Sequence, residues 1–178
     1  MTSAPTLETQ RLRLRHHVMT DVSALAPYFA SDWAQYMGGP ISHDELFRWI
    51  AAETVSWAWQ GFGSWAVTLK DTGALIGQVG INQPPRFPEL EIGWCILPDF
   101  QRKGYAAEAA SAARDWGFAN GHTTLVSYIH PENLASMAVA RSLGAINDPD
   151  APRPKGDEED VVYRHSAPDA DGSVEAYA

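Results

Sequence analysis

The stretch Gln101-Arg102-Lys103-Gly104-Tyr105-Ala106 stands between a β-rich run that ends at Pro98 and an Ala-rich, proline-free run over 105–119. A strand that passes through a glycine into a helix makes an anion site. The glycine lets backbone N–H groups come close, and the first-turn amides and helix dipole supply partial positive charge. Arg102 and Lys103 add full charges, so the segment suits a diphosphate. It is neither GxGxxG nor GxxxxGK[ST], which argues against NAD and ATP as ligands. The plain alternative is a glycine needed only to pack the turn.

Working upstream, residues 90–97 place Leu90, Ile92, Trp94 and Ile96 on one strand face and Glu91, Gly93, Cys95 and Leu97 on the other. Runs at 64–70 and 75–82 are β-rich and separated by Asp71-Thr72-Gly73, a hairpin turn. Residues 11–15 alternate charged and apolar, the period of a strand with one buried face. Two helices are expected between that strand and the hairpin. One is capped by Thr20 or Asp21 and runs to about Ser31; the other opens with the capping box Ser42-His43-Asp44-Glu45.

Downstream, 105–119 predicts a helix with Gly121 near its end, 123–129 a strand, and 134–143 a short helix capped by Asn133 and stopped at Gly144. Residues 147–159 are rich in Asp, Glu and Pro and read as an acidic loop before a last strand at 161–165; residues 166–178 read as a C-terminal tail.

With 178 residues and 45% apolar content, one domain over 1–178 is expected. There is no run of 18 apolar residues and no basic and apolar leader at the start, so the expectation is a soluble, cytoplasmic protein without membrane partners. Cys95 is the lone cysteine, which rules out an intrachain disulfide and a Cys-based zinc site. The histidines show no HxxxH or HExxH spacing, so no metal is expected. A net charge of -9 argues against nucleic acid and leans toward cationic partners.

Gln101-x-x-Gly104-x-Ala106 resembles the Q/R-x-x-G-x-G/A signature of the GNAT superfamily of N-acetyltransferases. Glu91-Ile92-Gly93-Trp94 before it, and Asn133-x-x-Ser136 with Leu143-Gly144-Ala145 after it, resemble the flanking blocks in order and spacing. Leu7 to Arg15 resembles the opening strand of the ribosomal-protein-type (Rim-like) branch, so the likeness covers about residues 7–145. It implies an α/β fold with a mixed, mostly antiparallel central sheet flanked by helices. Two parallel strands splay apart in it, and the pantetheine arm of acetyl-CoA lies in the gap. On this resemblance Ile96 and Leu97 offer backbone groups to pantetheine, residues 101–106 hold the diphosphate, and Asn133 bonds the arm, caps its helix, or does both. Homodimers are common in the family.

Acetyl transfer to an amine requires that an ammonium lose a proton, that an oxyanion be stabilised and that a thiolate leave. Glu91 is the candidate base, and a strand N–H at Ile96 or Leu97 the oxyanion donor. Many relatives use a tyrosine seven residues after the asparagine as the acid, but Ala140 stands there. In the ribosomal-protein-type branch a serine three residues after the asparagine takes that part, which Ser136 matches; a serine is a weak acid, so its role would be to hydrogen-bond the sulfur. Cys95 reads as packing, and Trp33, Tyr36, Trp49, Trp57, Trp59 and Trp65 read mainly as core. The acceptor stays open between a protein N-terminus, a small-molecule amine and a lysine side chain; an acidic cup would favour a polyamine. Two other readings are a catalytically silent acyl-CoA-binding module and a structural domain that binds no cofactor.

Overall fold

The computed structural model describes residues 3–167. The tail expected over 166–178 lies, from residue 168 onward, outside the described residues. In chain order the elements are β1 (Leu7–Glu8), β2 (Leu12–Arg15), α1 (Met19–Phe29), a 3-10 turn (Asp32–Met37), α2 (His43–Trp59), β3 (Ser64–Leu69), β4 (Leu75–Asn82), β5 (Glu91–Ile96), α3 (Tyr105–Ala119), β6 (Leu125–Ile129), α4 (Leu134–Ser142), β7 (Ile146–Asn147) and β8 (Val161–His165). They form one eight-stranded sheet in the order β1-β2-β3-β4-β5-β6-β8-β7. All neighbours are antiparallel except β5 and β6.

The period-2 reading of residues 11–15 shows directly in burial: Leu12 and Leu14 are fully enclosed while Arg13 is exposed. The capping box at the start of α2 forms, with Glu45 N–H donating to Ser42 Oγ (3.3 Å) and Ser42 N–H donating to Glu45 Oε2 (2.8 Å). α1 starts earlier than expected. Its N-cap is Val18, and Asp21 serves from inside the helix by accepting the Val18 N–H at 2.9 Å.

α3 lies close on the sheet because its inner face is Ala109, Ala110, Ala113 and Gly117. A Cβ at Gly117 would meet Ile81 Cδ1 at 2.9 Å, so the helix approaches nearer than any side chain there would allow. Trp57, Trp65 and Trp116 interlock edge to face beside it, with centroids 4.6 Å and 5.3 Å apart. The expectation that the aromatic group is core holds for Trp57 and Trp65. It fails for Trp59, which is 83% exposed at the end of α2, and for Tyr36, which is 37% exposed.

The stretch 147–159 contains the second residue of β7 and is tied down along its length. Arg164 donates to Asp148 Oδ2 at 2.7 Å, and Arg153 donates to the carbonyls of Pro149, Ala151 and Asp160. Ala151 is buried against Val126 and Val162. Among the described residues, no helix is long and apolar enough to cross a membrane.

Candidate active site

β5 and β6 register only at Glu91 and Val126, where Val126 N–H donates to the Leu90 carbonyl at 3.0 Å. Beyond that point the strands part. The Ile92 carbonyl, which would bond the next residue of a continuing ladder, instead accepts from Ser127 Oγ at 2.6 Å. Since that hydroxyl spends its proton on Ile92, its oxygen accepts from His165 Nε2–H at 3.0 Å, which fixes the imidazole tautomer. The ring is buried, and burial with nearby Arg114 pushes it down to about 4, so it is neutral.

Register decides which backbone groups face the gap. Leu97 N–H donates to Ile76 O at 2.8 Å, which makes Ile76 and Leu97 a hydrogen-bonded pair of the β4–β5 ladder. Alternation then turns the peptide groups of Ile92, Trp94 and Ile96 toward β6. The N–H groups of Trp94 and Ile96 therefore aim into the opening. Leu97 does not share that position, because its N–H is spent on Ile76 and its carbonyl accepts from Phe100 N–H at 2.9 Å. Trp94 was missed in the sequence, although the alternation that places it with Ile96 is readable there.

A cleft of about 700 Å³ opens from the gap to the start of α3, with Ile96, Gln101, Arg102, Gly104, Tyr105 and Ala106 among its walls. Gly104 is the N-cap residue of α3 at φ 80°, and Arg102 also has positive φ, 59°, which is costly for a residue with a side chain. Three contacts hold the turn in place. Gln101 Nε2 donates to the Ile96 carbonyl (2.9 Å), Arg11 Nη1 donates to the Lys103 carbonyl (2.9 Å), and Arg11 Nε donates to Glu108 Oε2 (2.7 Å) in the first turn of α3. Gln101 is thus a tether for the turn. The Lys103 ammonium bonds the Asp99 carbonyl at 3.0 Å and, with Leu97, lies outside the cleft walls. Arg11, which sequence reading had placed only in a strand, is what clamps this turn to β2.

A second cavity of about 670 Å³ lies on the other side of the gap, under α2 and the acidic loop. Glu53, Gln78, Glu91, Asp157 and Asp160 line it. The two spaces share Trp94, Cys95, Asn133 and Ser136, together with Gln35, Tyr36 and Met37 of the 3-10 turn, so they meet where the strands part. Asn133 caps α4, its Oδ1 accepting the Ser136 N–H at 3.1 Å, and this sets Ser136 at the junction. Ala140 is wholly buried between α4 and its neighbours and lines neither space. Tyr36 lies at the junction, its ring against His130 with centroids 5.1 Å apart.

Two paired glycines shape the floor of this cavity: a Cβ at Gly80 would collide with Ser64 Oγ, so that glycine admits the serine, while Gly93 leaves room. Gly80 and Gly93 face each other across β4 and β5, between Gln78 and Asn82 on one strand and Glu91 and Cys95 on the other. A Cβ at Gly93 would lie 3.6 Å from the Glu91 carboxyl group, so the absent side chain leaves that carboxyl open to the cavity. Burial, with Glu53 next in importance, pushes the Glu91 carboxyl up to about 8, in the range useful to a base at neutral pH. The same burial and Glu53 push the Cys95 thiol up to about 12, which disqualifies it as a nucleophile. Among the described residues no group of His, Cys, Asp and Glu could hold a metal ion.

A splayed parallel pair with strand amides turned into the gap, a helix N-terminus at one end and a buried carboxyl at the other suits an enzyme that holds a long anionic ligand beside a proton acceptor. The acetyltransferase (GNAT) domain profile matches residues 11–146, and the chain belongs to that family of acetyl-CoA-dependent acyltransferases. An acetyltransferase of Agrobacterium tumefaciens, known from its crystal structure, is 43% identical, with a TM-score of 0.87 over 92% of this chain and 95% of that one. The uncharacterized N-acetyltransferase YnaD of Bacillus subtilis is 38% identical over a stretch spanning 44% of this chain and 46% of the relative. YoaA of the same organism, also named an N-acetyltransferase, is 28% identical over 79% of this chain and 82% of its own length. The ribosomal L7/L12 enzyme RimL shares the fold at 20% identity and a TM-score of 0.73, as do other family members, so that likeness shows the fold and singles out no branch.

Proposed function

We propose that this chain transfers the acetyl group of acetyl-CoA directly to a primary amine, either a protein N-terminus or a small-molecule amine. The observation that carries this reading is the meeting of the two spaces at Ser136 and Trp94, with Glu91 in the wall of one and the α3 N-terminus in the wall of the other. Acetyl-CoA supplies an activated acetyl thioester. Its fit is supported by the N–H groups of Trp94 and Ile96 turned into the gap, and by the small side chains of Ala106 and Ala107, which leave the first-turn amides of α3 approachable. Gly104, Tyr105, Ala106 and Arg102 would face the diphosphate, and Asn133 the pantetheine arm.

Glu91 takes the proton from the acceptor ammonium, directly or through a water in the cavity, so that the neutral amine can attack. The Trp94 or Ile96 N–H receives the charge that develops on the carbonyl oxygen. Ser136 donates a hydrogen bond to the departing sulfur; the attacking nitrogen gives up its second proton to solvent as the amide forms, and solvent protonates the thiolate. Kinship with the ribosomal-protein-type branch belongs to the same proposal, supported by Ser136 at the junction and Ala140 away from it. So does a cytoplasmic setting, which the unpaired, buried Cys95 suits. A silent binding module is not favoured, since a cavity with a proton-accepting carboxylate would then serve no purpose.

The test is thiol release from acetyl-CoA in the presence of a panel of amines, together with the melting temperature with and without acetyl-CoA. A saturating ligand at about 100 times its dissociation constant adds about 2.7 kcal/mol, several degrees for a domain of this size. No shift and no thiol release would refute the assignment.

A further inference from the structure

The inner end of the acceptor cavity carries a second carboxyl group, Glu53, besides the Glu91 carboxyl offered to the reacting amine. Glu53 is 9% exposed, and its carboxylate oxygens accept from Trp49 Nε1 at 2.6 Å and from Gln78 Nε2 at 2.7 Å. Because the amide nitrogen of Gln78 is committed to Glu53, its Oε1 is fixed as an acceptor. That atom is buried and has no donor, in a residue only 5% exposed that forms part of the cavity wall. A buried acceptor without a donor is costly, and a partner that brings N–H groups relieves it.

The charges nearby do not already meet this demand. Arg86, on the opposite wall, is paired with Asp157 and leans on the Phe87 ring. His17 acts on Glu53 through space but makes no hydrogen bond to it; its Nδ1 lies 3.4 Å from Asp21, which is itself paired with Arg15. His130 accepts the Glu132 N–H with its Nδ1. Glu53 and Glu91 therefore line one cavity; burial pushes both carboxyls up, Glu53 raises Glu91 further, and a cation between them favours the ionised form of each.

We propose that the preferred acceptor is a compact diammonium compound, with one amine presented to Glu91 and the second ammonium held at an inner subsite formed by the Glu53 carboxylate and Gln78 Oε1. This rests on the acetyltransferase reading for the role of the first amine. The second ammonium binds without reacting, so the subsite sets specificity and positions the acceptor. A neutral or singly charged amine of the same length leaves Glu53 without a counter-charge and Gln78 Oε1 without a donor.

The experiment compares diaminobutane, diaminopentane and diaminohexane with butylamine, pentylamine and hexylamine. Binding to the full chain is measured by calorimetry without acetyl-CoA, and thiol release is measured separately. The best diamine is expected to bind about tenfold or more tighter than its monoamine, the worth of one charge-assisted hydrogen bond. In Glu53→Gln that ratio falls toward one. Gln78→Met, which keeps length but removes the acceptor, lowers it in part; near-ultraviolet circular dichroism of each variant, sensitive to Trp49, verifies folding. Equal binding of diamines and monoamines, or a ratio unchanged in a folded Glu53→Gln protein, overturns the inference even if amines are acetylated. A binding preference erased by Glu53→Gln supports it even if no thiol is released, an outcome that would count against the transferase reading instead.

Discussion

Replacing Glu91 with glutamine separates catalysis from stability. The carboxyl titrates near 4.5 in the unfolded chain and at about 8 in the fold, so between those values the folded state holds a proton that the unfolded state has lost. Stability therefore falls as pH rises through this window, and above it the fold carries a buried charge that the unfolded chain keeps in water. At 1.36 kcal/mol per unit the ceiling is roughly 4–5 kcal/mol, and water in the cavity screens the charge, which leaves an expected cost of about 1–2 kcal/mol. The glutamine amide carries no such charge. Glu91→Gln should raise the melting temperature at pH 9 by about 3–6 °C, at about 2–4 °C per kcal/mol, and the gain should shrink toward zero near pH 5. The same variant should lose about 100-fold in turnover, and the rise of kcat/KM through about pH 8 in the parent should disappear. Calorimetric scans at the two pH values and a thiol-release assay read both effects. Turnover within threefold of the parent, or a melting difference that does not depend on pH, would refute the assignment of Glu91 as base.

Gly104→Asp puts a side chain at φ 80° and a negative charge at the α3 N-terminus, so acetyl-CoA affinity should drop by about 100-fold or more by calorimetry. Unchanged affinity would place the diphosphate elsewhere. Ser136→Ala should cut turnover by about tenfold with acetyl-CoA binding within twofold, the loss of a bond made chiefly to departing sulfur. Ser127→Ala leaves the Ile92 carbonyl and His165 Nε2–H unpaired in a buried space, and should cost about 1–3 kcal/mol in urea unfolding. A neutral result there would mean that the splay is held by packing alone.

Most of the framework was legible because local signals agreed with the fold. The bounds expected for the helix at Tyr105–Ala119 and the strands at Leu75–Asn82 and Val161–His165 are those observed. Periodicity, a capping box and glycine stops act within a few residues of where they are read. The cleft proposed for acetyl-CoA was legible for the same reason, since Gly104 and the start of α3 are contiguous. The cavity proposed for the acceptor was not. Glu53 read as one more residue of an amphipathic helix, Asp157 and Asp160 as parts of an acidic stretch, and Gln78 as a polar position in a strand; only the folding of α2 and the loop over the sheet brings them beside Glu91. Leu97 shows a finer limit. Sequence placed it beside Ile96 at the end of the strand, but which of two adjacent peptides faces the gap depends on hydrogen-bond register with β4, set by residues some twenty positions earlier.

The sheet ends on β1 and β7, each only two residues long. So short a border presents too few unpaired peptide groups for a neighbouring chain to add a strand, and it shields a broad, apolar sheet from growing sideways into aggregates. Such borders direct any association between copies of this chain toward side-chain packing across helices or loops, where single surface substitutions can tune it without touching the sheet.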